Sequence, residues 1–174
     1  LMPCDHSGAC RILLYHAVGS LPATDRLGLT VSTGTFRSQM TLLKEQGYQT
    51  ISLGALAKTP SERNSKRICI TFDDGYASQI SAAQILSDLG FTATFFVIGH
   101  SATMSGNTRN YWENWPRLRW KEIRELRKAG FEIGAHSMTH PRLTLLSAHA
   151  LPDETPGAKS YIEDRLGYRF SSYS

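Results

Sequence analysis

No apolar run in this chain approaches the roughly 18 residues that a membrane-spanning helix requires, so no transmembrane segment is expected. Charge of one sign is not gathered anywhere. Lys and Arg total 19 against 15 Asp and Glu, scattered for a formal net charge of +4. A nucleic-acid reader concentrates its cations in a patch or stripe, so nucleic acid is not an expected partner. No repeat or low-complexity stretch is present, which excludes solenoids and compositionally disordered tails. Cysteine is scarce: Cys4, Cys10 and Cys69 are odd in number and lack CxxC spacing, so neither a disulfide framework nor a zinc finger is indicated. Cys69 falls in an apolar run and reads as a buried hydrophobe, whereas pairing of Cys4 with Cys10 stays open. Residues 1–9 have no basic leader region, and Arg11–Val18 is too short and polar for a signal core. The compartment is therefore not legible from these residues.

What remains is 174 residues, 41% hydrophobic and 20% charged. That is ordinary globular composition, with length for one domain and a real core. Residues 1–9 read as a flexible tail and 10–174 as a single domain. The stretch Ile68-Cys-Ile-Thr-Phe-Asp-Asp-Gly-Tyr76 organises the rest. Apolar and β-branched residues lead into two carboxylates, and Gly75 breaks the run: a buried strand, a turn, then a helix. Taken alone, Asp74-Gly75 is equally well a simple turn with Asp73 as a helix cap.

Along the chain, Arg11–His16 reads as a short buried strand ending on a histidine, and 17–34 as a loop. Thr33 or Thr35 is expected to cap a helix to about Gln46, with Phe36, Met40, Leu42 and Leu43 inward. Tyr48–Ile51 is a second strand candidate and Leu53–Lys58 a short helix. Ala77–Leu89 is a helix with Ile80, Ala83, Ile85, Leu86 and Leu89 inward, and Phe91–Ile98 a buried strand. Residues 99–119 form a long polar loop carrying Trp112 and Trp115. Trp120–Ala129 is an amphipathic helix, Phe131–Ala135 a strand ending at His136, and Ala158–Leu166 a last helix. Pro152, Pro156 and Gly157 are expected to interrupt any helix before it. Apolar strands alternating with helices predict an α/β fold with a parallel sheet. In such folds chemistry gathers at the C-terminal strand ends, where His16, Asp73, Asp74 and His136 fall.

His136-Ser-Met-Thr-His140 adds two imidazoles at i, i+4. With one carboxylate they form a common catalytic donor set for a divalent transition metal. Pro141 stops any helix at once, and Ser137 stands where a metalloprotease helix would carry its glutamate. His100, His6 and His149 have no supporting motif. Trp112, Trp115 and Trp120 are candidates for stacking on sugar rings or for packing, and Ser137 for orienting a ligand or closing a turn.

Together, Thr71-Phe-Asp-Asp-Gly75 and His136-Ser-Met-Thr-His140 resemble the first two motifs of the NodB-homology polysaccharide deacetylases, carbohydrate esterase family 4. Phe91–Val97, Leu126–Ile133 and Pro141-x-Leu143-Thr144 resemble the family's intervening frame. Leu13-Leu-Tyr-His-Ala-Val18 and Phe36…Leu43…Gln46-Gly-Tyr48 are similar to the branch that deacetylates poly-N-acetylglucosamine. The resemblance spans roughly residues 10–146. It implies a distorted (β/α) barrel of the NodB-homology type. It further implies that Asp74, His136 and His140 hold a divalent transition metal, zinc above all, with cobalt, nickel or manganese as substitutes. Asp73 would be general base and His16 general acid, removing N-acetyl groups from an N-acetylated saccharide and releasing acetate. A monomer and a periplasmic or extracellular setting are implied in the same way. Where the family carries a third motif, this chain has Phe170-Ser-Ser-Tyr-Ser174. Full α/β barrels need about 250 residues, so an incomplete barrel short of its C-terminal strands is expected. The alternative is a catalytically impaired relative that serves as a carbohydrate-binding module.

Overall fold

The computed structural model describes residues 11–20, 25, 27–58, 66–100 and 115–170. Five strands form one parallel sheet: β1 (Arg11–Tyr15), β4 (Gln49–Thr50), β5 (Arg67–Phe72), β6 (Thr94–Val97) and β7 (Glu132–Ala135). The order is β1-β5-β6-β7, with β4 paired to the first residues of β5. A small pair, β2 (Ala17–Val18) with β3 (Thr30–Val31), lies outside it. It forms inside the stretch expected to be loop, because Asp25 accepts from the amides of Leu29 (3.0 Å) and Thr30 (2.7 Å) and folds the chain back.

Helices α1 (Thr33–Glu45), α3 (Gln79–Asp88) and α4 (Trp120–Lys128) cover one face of the sheet. Register explains the core there. Tyr15 pairs with Phe72, and Phe72 with Phe95. Their rings stack at centroid distances of 5.7 and 4.7 Å, and Phe131 closes edge-on to Phe95 at 5.3 Å. Such cross-strand aromatic pairs are the natural unit of sheet stabilisation. Phe36 and Met40 of α1 and Ile85 and Leu86 of α3 bury against this layer. Leu42 and Ile80, expected inward, are exposed at 56% and 40%. Each falls on the solvent flank of a helix whose narrow core stripe is already filled by its neighbours. Ser32 caps α1, its hydroxyl accepting from the Thr35 amide at 3.1 Å, in place of either threonine. β1 is an edge strand rather than a buried one, with Ile12 and Leu14 more than half exposed.

The chain also absorbs its late prolines. Residues Asp153–Gly157 make a wide π turn that runs directly into α5 (Ala158–Leu166). Pro156 has no N–H and its ring would strike the carbonyl four residues back in an α-helix, and widening the turn relieves both problems. The Thr155 hydroxyl donates to the Leu151 carbonyl at 2.8 Å. The expected interruption is thus a widening, not a break. No helix among the described residues is long and apolar enough to cross a membrane.

Candidate metal centre and active site

Three strand ends supply the site. β5 delivers Asp73 and Asp74, β7 delivers His136, and β1 delivers His16. Asp74 is left-handed at φ 70, followed by Gly75 at φ 63. A Cβ on Gly75 would sit 3.3 Å from Val97 Cγ1, so glycine lets this turn lean over β6 toward His136. A short segment braces it from outside. Arg117 donates to the Asp74 carbonyl at 2.7 Å, Leu118 N to the Gly75 carbonyl at 2.8 Å, and Ala77 N to the Pro116 carbonyl at 2.8 Å. The Arg117 guanidinium lies 4.0 Å over the Tyr76 ring and 3.9 Å from Asp74 Oδ2.

His136 and His140 sit on a second strained turn, with Ser137 at φ 60 and His140 at φ 59. Ser137 Oγ accepts from the His140 amide at 2.9 Å, so it closes a turn. The result is convergence. One ligand atom from each of Asp74, His136 and His140 lies within 4.8 Å of the others. Asp74 Oδ1 is 3.2 Å from His136 Nε2 and 3.4 Å from His140 Nε2. That oxygen is buried and makes no hydrogen bond of acceptable angle among the described residues. A buried carboxylate oxygen facing two imidazole nitrogens fits a divalent transition metal.

Electrostatics separates the two aspartates. Burial pushes Asp74 up, but His136, Arg117 and His140 outweigh it and hold the carboxyl at about 2. Burial raises Asp73, opposed first by His136 and then by His16. Its Oδ1 is buried and accepts no hydrogen bond among the described residues. Burial lowers His140, which keeps its imidazole neutral and its lone pair available. Adjacent carboxylates with pKa values driven apart are suited to different tasks.

All five anticipated residues therefore lie at one end of the sheet. His16 is tied to Asp73 through the backbone: Gln79 Nε2 donates to the His16 carbonyl at 2.8 Å and to the Asp73 carbonyl at 2.6 Å. Gln79 is fully buried and was not anticipated. Its signal was present, since it shares helical spacing with buried Ala82, Ala83 and Leu86. Arg117 had no such signal. Trp115 packs on Tyr76 at 5.1 Å and Trp120 is buried, while Trp112 lies outside the described residues. So do Cys4, Cys10 and His6; Cys69 is buried in β5. His149 is exposed, and His100 packs edge-on to Tyr161.

The family model described as "Polysaccharide deacetylase" matches residues 61–174. The chain is 30% identical over 113 residues to the peptidoglycan-N-acetylglucosamine deacetylase PgdA of Listeria monocytogenes, covering 64% of this chain and 21% of that protein. A crystal structure of a polysaccharide deacetylase from Bacillus cereus superposes with a TM-score of 0.79 at 25% identity, covering 94% of this chain and 49% of that one. IcaB from Ammonifex degensii shares the fold with a TM-score of 0.72 at 19% identity, over 95% of this chain and 73% of its own. The chain thus spans about a fifth of that curated relative and about half of the Bacillus cereus structure. The fold is the distorted α/β barrel of these neighbours, of which this chain spans a part.

Proposed function

The chain belongs to the polysaccharide deacetylase family, and on that premise we propose that it is a metal-dependent N-deacetylase of N-acetylated glycans. The finer reading is poly-N-acetylglucosamine, supported by the similarity of Leu13–Val18 to that branch and by the place of His16 beside Asp73. Residues 10–174 act as one deacetylase domain.

Asp74, His136 and His140 would hold the ion, zinc by preference of the donor set. When bound, it supplies Lewis-acid polarisation of the acetamide carbonyl. Asp73 Oδ1, free of other partners among the described residues, takes the proton of the attacking water. Its raised pKa brings the base nearer operating pH, where proton transfer is most effective. His16, tied to the same backbone by Gln79, gives a proton to the departing amine nitrogen as the C–N bond breaks. Water oxygen ends on acetate and the sugar keeps a free amine. Arg117 keeps the Asp74 carboxylate ionised and its turn in place.

The observation that carries this reading is an Asp–His–His cluster gathered on the buried Asp74 carboxylate, beside a second aspartate whose buried Oδ1 accepts no hydrogen bond among the described residues. The test is acetate release from N-acetylglucosamine oligomers by the zinc-loaded protein. Release that chelator and Asp73→Asn both abolish supports the reading. Saccharide binding without any acetate sinks it in favour of a binding module.

A further inference from the structure

The turn that carries both histidines is gripped from two sides. On one side β6 continues past its end: Gly99 N donates to the Ser137 carbonyl at 3.0 Å, and His100 N to the Met138 carbonyl at 2.9 Å. The approach is close, since a Cβ on Gly99 would come 2.8 Å from Met138 Sδ. On the other side stands Glu154, from the π turn. Its Oε2 accepts from the amides of Met138 (3.0 Å) and Thr139 (2.9 Å), and its Oε1 from the Thr139 hydroxyl at 2.6 Å. Its backbone carbonyl accepts again from Met138 N at 3.2 Å. One side chain thus fills both its carboxylate oxygens on the residues between the two imidazoles.

That turn does not rest in a relaxed conformation. Ser137 and His140 both lie in the left-handed region, which costs a non-glycine residue roughly 1–2 kcal/mol each. Such backbone persists only where its surroundings over-determine it. A carboxylate accepting two amides and a hydroxyl is a strong constraint, because charge-assisted bonds are about twice as strong as neutral ones. The π turn explains why the glutamate can reach. Pro156 forces the widening, and the widened turn is the one that presents Glu154 to the histidine loop.

We propose that Glu154 is a positioning residue for the metal centre: without touching the ion, it sets the separation and tilt of the His136 and His140 rings. This rests on Asp74, His136 and His140 being a metal site. The proline-bearing π turn is then a part of that site and not an interruption of a helix.

Zinc affinity of the parent, Glu154→Ala, Glu154→Gln and Thr139→Val is measured by competition with a chromogenic chelator, alongside melting of the metal-free proteins. Glu154→Ala is expected to weaken zinc about 10–100-fold, as loss of an outer partner does elsewhere. Glu154→Gln keeps an oxygen that can accept from both amides and should stay within about threefold of the parent. Thr139→Val removes one contact and should weaken zinc a few-fold, a readout that survives even if Glu154→Ala does not fold. A purely structural glutamate would lower melting while leaving affinity within about twofold in Glu154→Ala and Thr139→Val, and that result overturns the proposal. Equal losses in Glu154→Gln and Glu154→Ala overturn it too. A parent that takes up no zinc removes the metal-site reading itself, an outcome distinct from failure of the positioning role.

Discussion

Strand β7 has a carboxylate cluster at each end, and the two are built on opposite principles. At its start, Glu132 accepts from Gly54 N with both oxygens at 3.1 Å, and from the Thr94 hydroxyl at 2.6 Å. Leu53 N in turn donates to that hydroxyl at 3.1 Å. This carboxylate caps α2 (Leu53–Lys58) and satisfies amides that a helix start leaves without partners. Past its other end, His136 meets Asp74 and lies near Asp73. Each aspartate there keeps a buried oxygen without a hydrogen bond among the described residues. The backbone is left-handed at Asp74, Ser137 and His140, and two imidazole nitrogens face the Asp74 carboxylate. A carboxylate whose oxygens are filled serves the fold. One with a buried, unfilled oxygen on a strained turn is suited to binding.

Breaking the chemistry at the unfilled end should give the largest effect. Asp73→Asn is expected to lower acetate release about 10²–10⁴-fold, the usual contribution of a general base, with zinc affinity retained. A rate within tenfold of the parent would mean that the water is deprotonated elsewhere. His140→Ala removes a ligand outright. It should weaken zinc by more than the roughly 10–100-fold that an outer partner commands, and zinc should then cease to raise its melting temperature.

The filled end should respond in the other currency. Glu132→Ala leaves the Gly54 amide and the Thr94 hydroxyl short of an acceptor, at a cost of about 1–3 kcal/mol. Denaturant unfolding should report that loss while chelator competition reports unchanged zinc affinity. A fall in affinity instead would mean that the two ends of β7 are coupled.

The sharpest contrast lies within the Asp73–Asp74 pair, in metal-free protein. Asp74 is held at about 2 against an ordinary 3.8. Its contribution is present above the ordinary value and is lost as pH falls through about 2. At neutral pH it amounts to on the order of 2 kcal/mol, which Asp74→Asn should remove. Asp73 is shifted the other way by burial. Its contribution is full below the ordinary value and is lost as pH rises through the raised one, so Asp73→Asn should stabilise the protein at pH 7. Unfolding free energies of the two variants that move in the same direction would contradict this division.

Much of this was legible before any coordinates. Apolar runs bounded by glycine located β5, β6 and β7, and polar residues just beyond β5 and β7 are those the fold brings together. Legibility failed where one residue's place depends on a distant one. Ser32 outcompeted the threonines as cap, Leu42 and Ile80 fell outside filled stripes, and β1 has an open face. Pro156 reads as a helix breaker by its own chemistry, but a turn can widen around it.

By itself, the sequence determined which residue types arrive at the strand ends, because alternation and glycine breaks act over a few neighbouring positions. It also offered a candidate donor set, one carboxylate with two imidazoles, and a second acid beside it. Only the tertiary structure decided that these groups meet within 4.8 Å, that their turns are left-handed, and that Gln79, Arg117 and Glu154 hold them there. Those contacts join residues as far as 66 positions apart, His140 with Asp74. Sheet register and packing create them, and no local preference of the chain encodes either.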